Sequence, residues 1–370
     1  MRILHVAALV SADGAYGGPV SVATDQVAAL RSAGHEVTLV AGRDAASRPD
    51  HPATRLFRAR RPRADGFAGM VAPGVPAWVL RHARRYDVVH VHLTRDLVTL
   101  PAAWLADRLG VPVVVQTHGQ VRAEHGRLQG VLDALWTRRL IGRSRFLALT
   151  GHEAADLQRQ GVPADRVDRV VNGVPLAREV AAAPGAGPRV LFVSRLADRK
   201  RPVAFVQAAA LVHAVRPDVR FELWGPDGGE APAVDAAIAA SGIAAVCARR
   251  GPTSPAGARE LLAGGQLFVL PSVAEPFPMA VLEALGAGLP VVLTTETGLS
   301  AAVAEAGAGA VTDGSPQELA DAVLRLLGPA AWQEAATAAR ELARSRYAMD
   351  VVVATLEETY RRAVTERRPG

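Results

Sequence analysis

Two glutamates in one short segment have the type and spacing to hold a sugar. In PSVAEPFPMAVLEALGAGLPVV (271–292), Glu275 and Glu283 stand with seven residues between them, and Phe277, Pro278, Met279 and Ala280 fall in that interval. A carboxylate accepts hydrogen bonds on two oxygens, which suits sugar hydroxyls. Pro278 marks a helix start, and a helix N-terminus offers unpaired N–H groups and partial positive charge, which suit a phosphate. Glu275 then lies just outside that N-terminus and Glu283 more than one turn inside it. The same residues also read as an ordinary helix cap and a surface glutamate. A second segment, VLFVSRLADRKRP (190–202), carries Arg195 and Lys200. Lys200 is the single lysine among 42 Lys and Arg residues. Two such cations can neutralise a departing diphosphate, or they can simply face solvent.

These side chains need a scaffold that brings loops together, and the chain has the pattern of one. Short apolar runs alternate with helical periodicity: RILHVAAL (2–9), EVTLVAG (36–42), YDVVHVHL (86–93), PVVVQTHG (112–119) and RFLALT (145–150) read as strands. The rhythm breaks at REVAAAPGAGPR (178–189), small and rich in Pro and Gly, then restarts with RVLFVSRL (189–196), RFELWG (220–225), QLFVLPS (266–272) and PVVLTT (290–295). Near-continuous Val, Ile and Leu runs between helices imply parallel sheets covered on both faces. The expected fold class is α/β, with two Rossmann-like, doubly wound domains facing across a cleft. The expected organisation is a first domain over 1–178, a linker over 179–188, a second domain over 189–345, and a C-terminal helix over 346–370 packing back toward the first domain. In such sheets ligands sit beyond the carboxyl ends of strands. Arg195, Lys200 and Glu275 all follow strands, as does His118 at the end of PVVVQTHG. Gly17 and Gly18 in YGGPVSVA (16–23) separate the first strand from a helix read over 19–34, where glycine lets the backbone approach a ligand closely.

The glutamate segment resembles the signature of the retaining glycosyltransferases of family 4, whose members have two Rossmann-like domains in the GT-B arrangement. The likeness covers nearly the whole chain, is strongest over 271–292 and good over 190–200, and is weak from about 43 to 80. It implies that Glu275 contacts a donor sugar and Glu283 the nucleotide ribose, and that Arg195 and Lys200 bind the donor pyrophosphate. It also implies that Gly17 and Gly18 form the N-terminal glycine loop and that His118 lies near the reacting sugar. Phe277, Pro278, Met279 and Ala280 complete the donor-binding set. The resemblance makes the first domain acceptor-binding and the second nucleotide-sugar-binding. Two positions depart from the family pattern. Pro278 stands where many members have Gly and removes one N–H donor, so Met279 and Ala280 must supply the amide contacts. Arg201 stands where Gly usually follows the lysine, and it is expected to point to solvent. His90 and His92 also occur in similar enzymes, and one of them is expected to be buried and hydrogen-bonded.

Composition narrows the partners. Residues 1–180 hold 24 basic and 16 acidic residues, while residues 181–370 hold 18 and 20. A basic first half suits a phosphorylated acceptor or an anionic membrane surface, or it is a solvated arginine face. No RNA-recognition, zinc-finger or helix-turn-helix signature is present, so nucleic acid is not an expected partner. Cys247 is the single cysteine, which excludes an intrachain disulfide and a cysteine zinc site. No Asp-x-Asp motif convinces and no His/Cys group has metal-ligand spacing, so metal-independent transfer without a cofactor is expected. The N-terminus reads as a buried strand rather than a leader, and no apolar run approaches a membrane span. The expected location is cytoplasmic, with a peripheral contact to the inner membrane face left open. The expected function is retaining transfer of a sugar from a nucleoside-diphosphate sugar to a glycan, lipid-linked or small-molecule acceptor. The alternatives are a nucleotide-sugar 2-epimerase of the same architecture and a non-catalytic nucleotide-sugar-binding subunit.

Overall fold

A computed structural model describes residues 1–10, 18–60, 69–119, 138–177 and 181–367. The chain divides into two units, Met1–Gly173 with Met349–Gly370, and Val174–Ala348. Each contains one parallel sheet flanked by helices.

The first unit has a seven-stranded sheet in the order β3-β2-β1-β4-β5-β6-β7. Its strands are β1 (Arg2–Val10), β2 (Glu36–Arg43), β3 (Thr54–Arg58), β4 (Val88–His92), β5 (Val113–Gln116), β6 (Arg145–Ala148) and β7 (Val167–Arg169). The order reverses between β1 and β4, the switch point at which doubly wound sheets bind ligands. The C-terminal helix Met349–Arg367 belongs to this unit. Val352, Val353, Leu356, Tyr360 and Ala363 recur at helical spacing and bury against Ile3, Val27, Leu30, Val88 and Val114.

The second unit has a six-stranded sheet in the order β10-β9-β8-β11-β12-β13. Its strands are β8 (Arg189–Val193), β9 (Arg220–Trp224), β10 (Cys247–Gly251), β11 (Leu267–Leu270), β12 (Val291–Thr294) and β13 (Gly309–Thr312). Here the switch point lies between β8 and β11, paired in register at Leu267 and Val190. The four sheet edges are β3, β7, β10 and β13. An edge strand meets a neighbour on one side only, so its sequence carries less of the apolar signal.

The boundary between the units falls at Gly173, and the described part of the segment expected to be a linker, residues 181–188, is attached to the second unit. Ala181 is buried and its N–H donates to Ala287 O at 2.9 Å. Gln266 Nε2 reaches Ala182 O at 3.4 Å. A Pro/Gly-rich composition fails to reveal this because backbone groups make the attachment. Among the described residues, no helix is long and apolar enough to cross a membrane.

Candidate active site

The second unit brings its two chemical segments together at the switch point. The loop after β8 makes a short turn at Asp198–Lys200 and enters the helix Pro202–Val215. The loop after β11 carries Glu275 and leads into the helix Met279–Gly286. A backbone hydrogen bond from Val273 N to Arg199 O, 2.8 Å, ties the loops. Glu275 Oε2 accepts from Lys200 Nζ and, at 2.8 Å, from Arg199 Nη1. Lys200 and Glu275 are 9% and 7% exposed, so the pair sits in a medium where leaving either charge alone is costly. Burial pulls the Lys200 ammonium below its ordinary value, and Glu275 partly opposes that pull. Arg199, which the sequence reading did not single out, is the further cation on this carboxylate. Only the folded contact identifies it, since the surrounding sequence is rich in arginine.

The Glu275 loop is braced from the loop after β12. Gly298 N donates to Glu275 O at 2.8 Å, and Glu275 N donates to Glu296 O at 3.3 Å. A Cβ on Gly298 would lie 1.9 Å from Pro276 O, so only glycine permits this approach. Pro278 is buried as the residue preceding the helix, with Met279 its first residue. Met279 and Ala280 therefore occupy the turn whose N–H groups lack helical acceptors. Phe277 packs edge-on against Tyr347, with ring centroids 6.2 Å apart. Glu283 lies on the same helix, partly exposed. Arg195 is exposed in the loop after β8, and its stem lies against Gly228, where a Cβ would meet Arg195 Cγ at 2.8 Å.

Arg201 does more than face solvent. It is partly buried and adopts φ +52°, the left-handed conformation that glycine takes without strain. Its guanidinium comes against Gly314, and its charge helps hold the Asp313 carboxyl below the usual range, after hydrogen bonding from Ser315. The family's usual glycine at this position thus has a backbone reason, and this chain meets it with a strained arginine.

In the first unit His118 follows β5 and also has a left-handed backbone, φ +50°. Glu153, 5% exposed, clamps the turn from both sides: it accepts from the Thr117 hydroxyl, from Gly119 N at 2.6 Å and from Leu149 N at 2.7 Å. Desolvation drives the His118 imidazole down to about 3, so the ring is neutral across the physiological range. Its Nε2 lies 3.0 Å from His92 Nδ1. His90 and His92 are both buried, together with His5 from β1, and these three offer ring nitrogens within 4.8 Å of one another. Spacing along the chain could not reveal this group, because β1 and β4 pair only in the folded sheet. Gly18 opens the helix Gly18–Ser32 after β1, and Gly17 lies outside the described residues. Strain concentrates at these loops: Arg95, His118, Arg201 and Ala274, which follow β4, β5, β8 and β11, are non-glycine residues at positive φ. Such residues persist where the surroundings over-determine them, often at functional sites.

Residues 187–328 match the family described as glycosyl transferases group 1, and residues 17–173 match the glycosyl transferase 4-like domain. The D-inositol 3-phosphate glycosyltransferase of Paenarthrobacter aurescens (strain TC1) is 30% identical over 308 residues, covering 76% of this chain and 74% of that protein. The protein of the same name from Acidothermus cellulolyticus is 30% identical over 321 residues, covering 79% and 70%. Among solved structures, sucrose-phosphate synthase from Thermosynechococcus elongatus superposes with a TM-score of 0.74 at 18% identity, covering 99% of this chain and 100% of that one. Anabaena HepE in complex with UDP-glucose gives 0.72 at 20% identity, covering 98% and 100%. With a doubly wound sheet in each unit and a family match in each, the chain belongs to the group 1, family 4 glycosyltransferases of GT-B fold.

Proposed function

We propose that this glycosyltransferase moves a sugar from a nucleoside-diphosphate sugar to an acceptor hydroxyl, with retention and without a metal. The observation that carries the reading is the buried Lys200–Glu275 pair, with Arg199 beside it, at the switch point of the second unit. A pyrophosphate arriving there gives Lys200 a new anionic partner and frees Glu275 to accept from sugar hydroxyls. Arg195 and the amides of Met279 and Ala280 add positive potential where charge develops on the leaving diphosphate. Glu283 is assigned to the ribose and His118 to a hydroxyl of the sugar or acceptor. The bond between the anomeric carbon and the phosphate oxygen breaks, the acceptor oxygen bonds to the same face, and the acceptor proton passes to the departing phosphate oxygen. The cationic groups then do the work a divalent ion would do elsewhere. The name of the relatives and the basic first half of the chain both suit an anionic acceptor, so inositol 3-phosphate is the first probe.

The test is a thermal-shift panel of UDP-, GDP- and ADP-sugars, with and without EDTA. A ligand at about 100 times its Kd adds roughly 2.7 kcal/mol of stability. One class should raise the unfolding temperature equally in both conditions. No shift from any nucleotide sugar, or a shift abolished by EDTA, overturns the donor or the metal-independent part respectively. Epimerisation of the bound sugar without an acceptor would overturn transfer itself.

A further inference from the structure

Four histidines and one tyrosine of the first unit form a single hydrogen-bonded chain. His118 Nε2 lies 3.0 Å from His92 Nδ1, and His92 Nε2 lies 3.0 Å from His5 Nδ1. His5 Nε2 lies 3.2 Å from the Tyr360 hydroxyl, which lies 2.7 Å from His90 Nδ1. His5 and His90 are in register across β1 and β4, and His92 stands two residues on, so one sheet face carries all three. Tyr360 reaches them from the C-terminal helix and is 0% exposed. Five of the six ring nitrogens of His5, His90 and His92 are occupied by hydrogen bonds within the chain. The contacts that bring these rings together are therefore already accounted for without an ion.

Burial holds His5, His90 and His92 far below 6.5, so each ring is neutral, with one N–H and one lone pair. A row of neutral rings has two proton arrangements, running in opposite directions. In one, His118 donates from Nε2, the donation passes through His92 and His5 to the Tyr360 oxygen, Tyr360 donates to His90, and His90 carries its proton on Nε2. In the other, every proton sits on the opposite nitrogen and His118 carries its own on Nδ1. The far end decides between them. Gln116 favours a proton on the His90 ring, although His90 Nε2 does not close a hydrogen bond of good geometry. The Gln116 amide is oriented by accepting from Gln26 Nε2 at 3.1 Å and donating to Asn172 Oδ1 at 3.4 Å. Its oxygen, already accepting from Gln26, keeps a second lone pair to receive the His90 proton. At the near end His118 Nδ1 has no partner among the described residues.

We propose that Tyr360, acting through His5 and His92, is a positioning residue that holds His118 as the Nε2–H tautomer, so that Nδ1 presents a lone pair to a substrate hydroxyl. The substrate half of this statement rests on the reading that places His118 in the reaction. No proton is transferred along the chain in this role; the chain only decides which nitrogen of His118 bears one.

The test is long-range 1H–15N spectroscopy of the full chain labelled at histidine nitrogen, with no ligand added. The wild-type His118 signal should be that of the Nε2–H tautomer. In Tyr360→Phe, His5 loses its acceptor and the His118 signal should move toward the Nδ1–H form. With the nucleotide sugar selected by the thermal-shift panel, the same variant should lose about tenfold in kcat, the weight of one hydrogen bond, while KM changes by less than about twofold. An Nδ1–H tautomer in the wild type, or an unchanged His118 signal in Tyr360→Phe, overturns the proposal. The wild-type spectrum can overturn the proposal even if the variant does not fold. Undiminished turnover in His118→Ala would instead remove His118 from the reaction and leave the tautomer result standing.

Discussion

The two units hold polar groups in their interiors by opposite means. The second unit buries ions that cancel, with Lys200 and Arg199 on Glu275. The first holds four neutral imidazoles, three linked nitrogen to nitrogen and the fourth through the Tyr360 hydroxyl. An ion pair tolerates a change of pH but not the loss of a partner, because an unmatched charge in a dry site is costly. A neutral chain tolerates the loss of one link better but does not tolerate protons. The difference suits the two tasks proposed above: charge ready where a diphosphate departs, and an uncharged ring ready where a hydroxyl is held.

The largest expected effect breaks the ionic side. Glu275→Ala should cost about 3–5 kcal/mol by leaving Lys200 unpaired and should abolish transfer. The double substitution Lys200→Met with Glu275→Leu should recover most of that stability and none of the activity, as read by urea midpoints and product formation. Equal instability in the double variant would mean the pair is not what matters there. Lys200→Arg keeps the charge but replaces a compact ammonium with a planar fork, and it should lose much of the transfer rate. Near-wild-type activity would make the lone lysine an accident of composition.

A drop in pH should strike the other side. The four histidines have folded pKa values below the ordinary 6.5, with His118 near 3. Above 6.5 neither state binds protons, and as pH falls below it the unfolded state binds them first. Stability is therefore lost on acidification, on the order of 1 kcal/mol per buried histidine per pH unit. Arg31 adds to this by disfavouring a charge on His5. Hydrogen exchange at pH 5.5 and 7.5, corrected for intrinsic rates, should show the first unit losing protection while the second keeps it. Parallel loss in both units would erase the contrast.

Smaller effects sharpen the comparison at the loops. Glu153→Gln keeps the shape but exchanges an acceptor oxygen for a donor beside Gly119 N or Leu149 N. It should cost about 2 kcal/mol and lower turnover by loosening His118, measurable together by denaturation and a single-turnover assay. Arg201→Gly should relieve left-handed strain of about 1 kcal/mol against the loss of its contact near Asp313. A nearly unchanged unfolding midpoint is expected, and a large loss would give Arg201 a structural duty beyond its backbone.

The central strands and the two segments that make the candidate site were legible because their signals are local. β4, β5, β8, β11 and β12 are short, Val- and Leu-rich and almost wholly buried, and Arg195, Lys200, Glu275 and Glu283 lie in two contiguous segments. The edge strands were less legible because half of each faces no neighbour. The attachment of Ala177, Ala181 and Ala182 to the second unit was hidden because their own backbone groups make it.

The sequence by itself determined two doubly wound units, the family, and the segments that meet at a strand end, because period, composition and short motifs act over a few residues. Only the tertiary structure decided that Arg199 joins Lys200 on Glu275, and that Glu153 clamps the His118 turn. It alone gathered His5, His90, His92, His118 and Tyr360 into one chain. Those choices depend on which strands pair and where the last helix lies, and parallel pairing joins residues whose separation along the chain carries no mark of the contact.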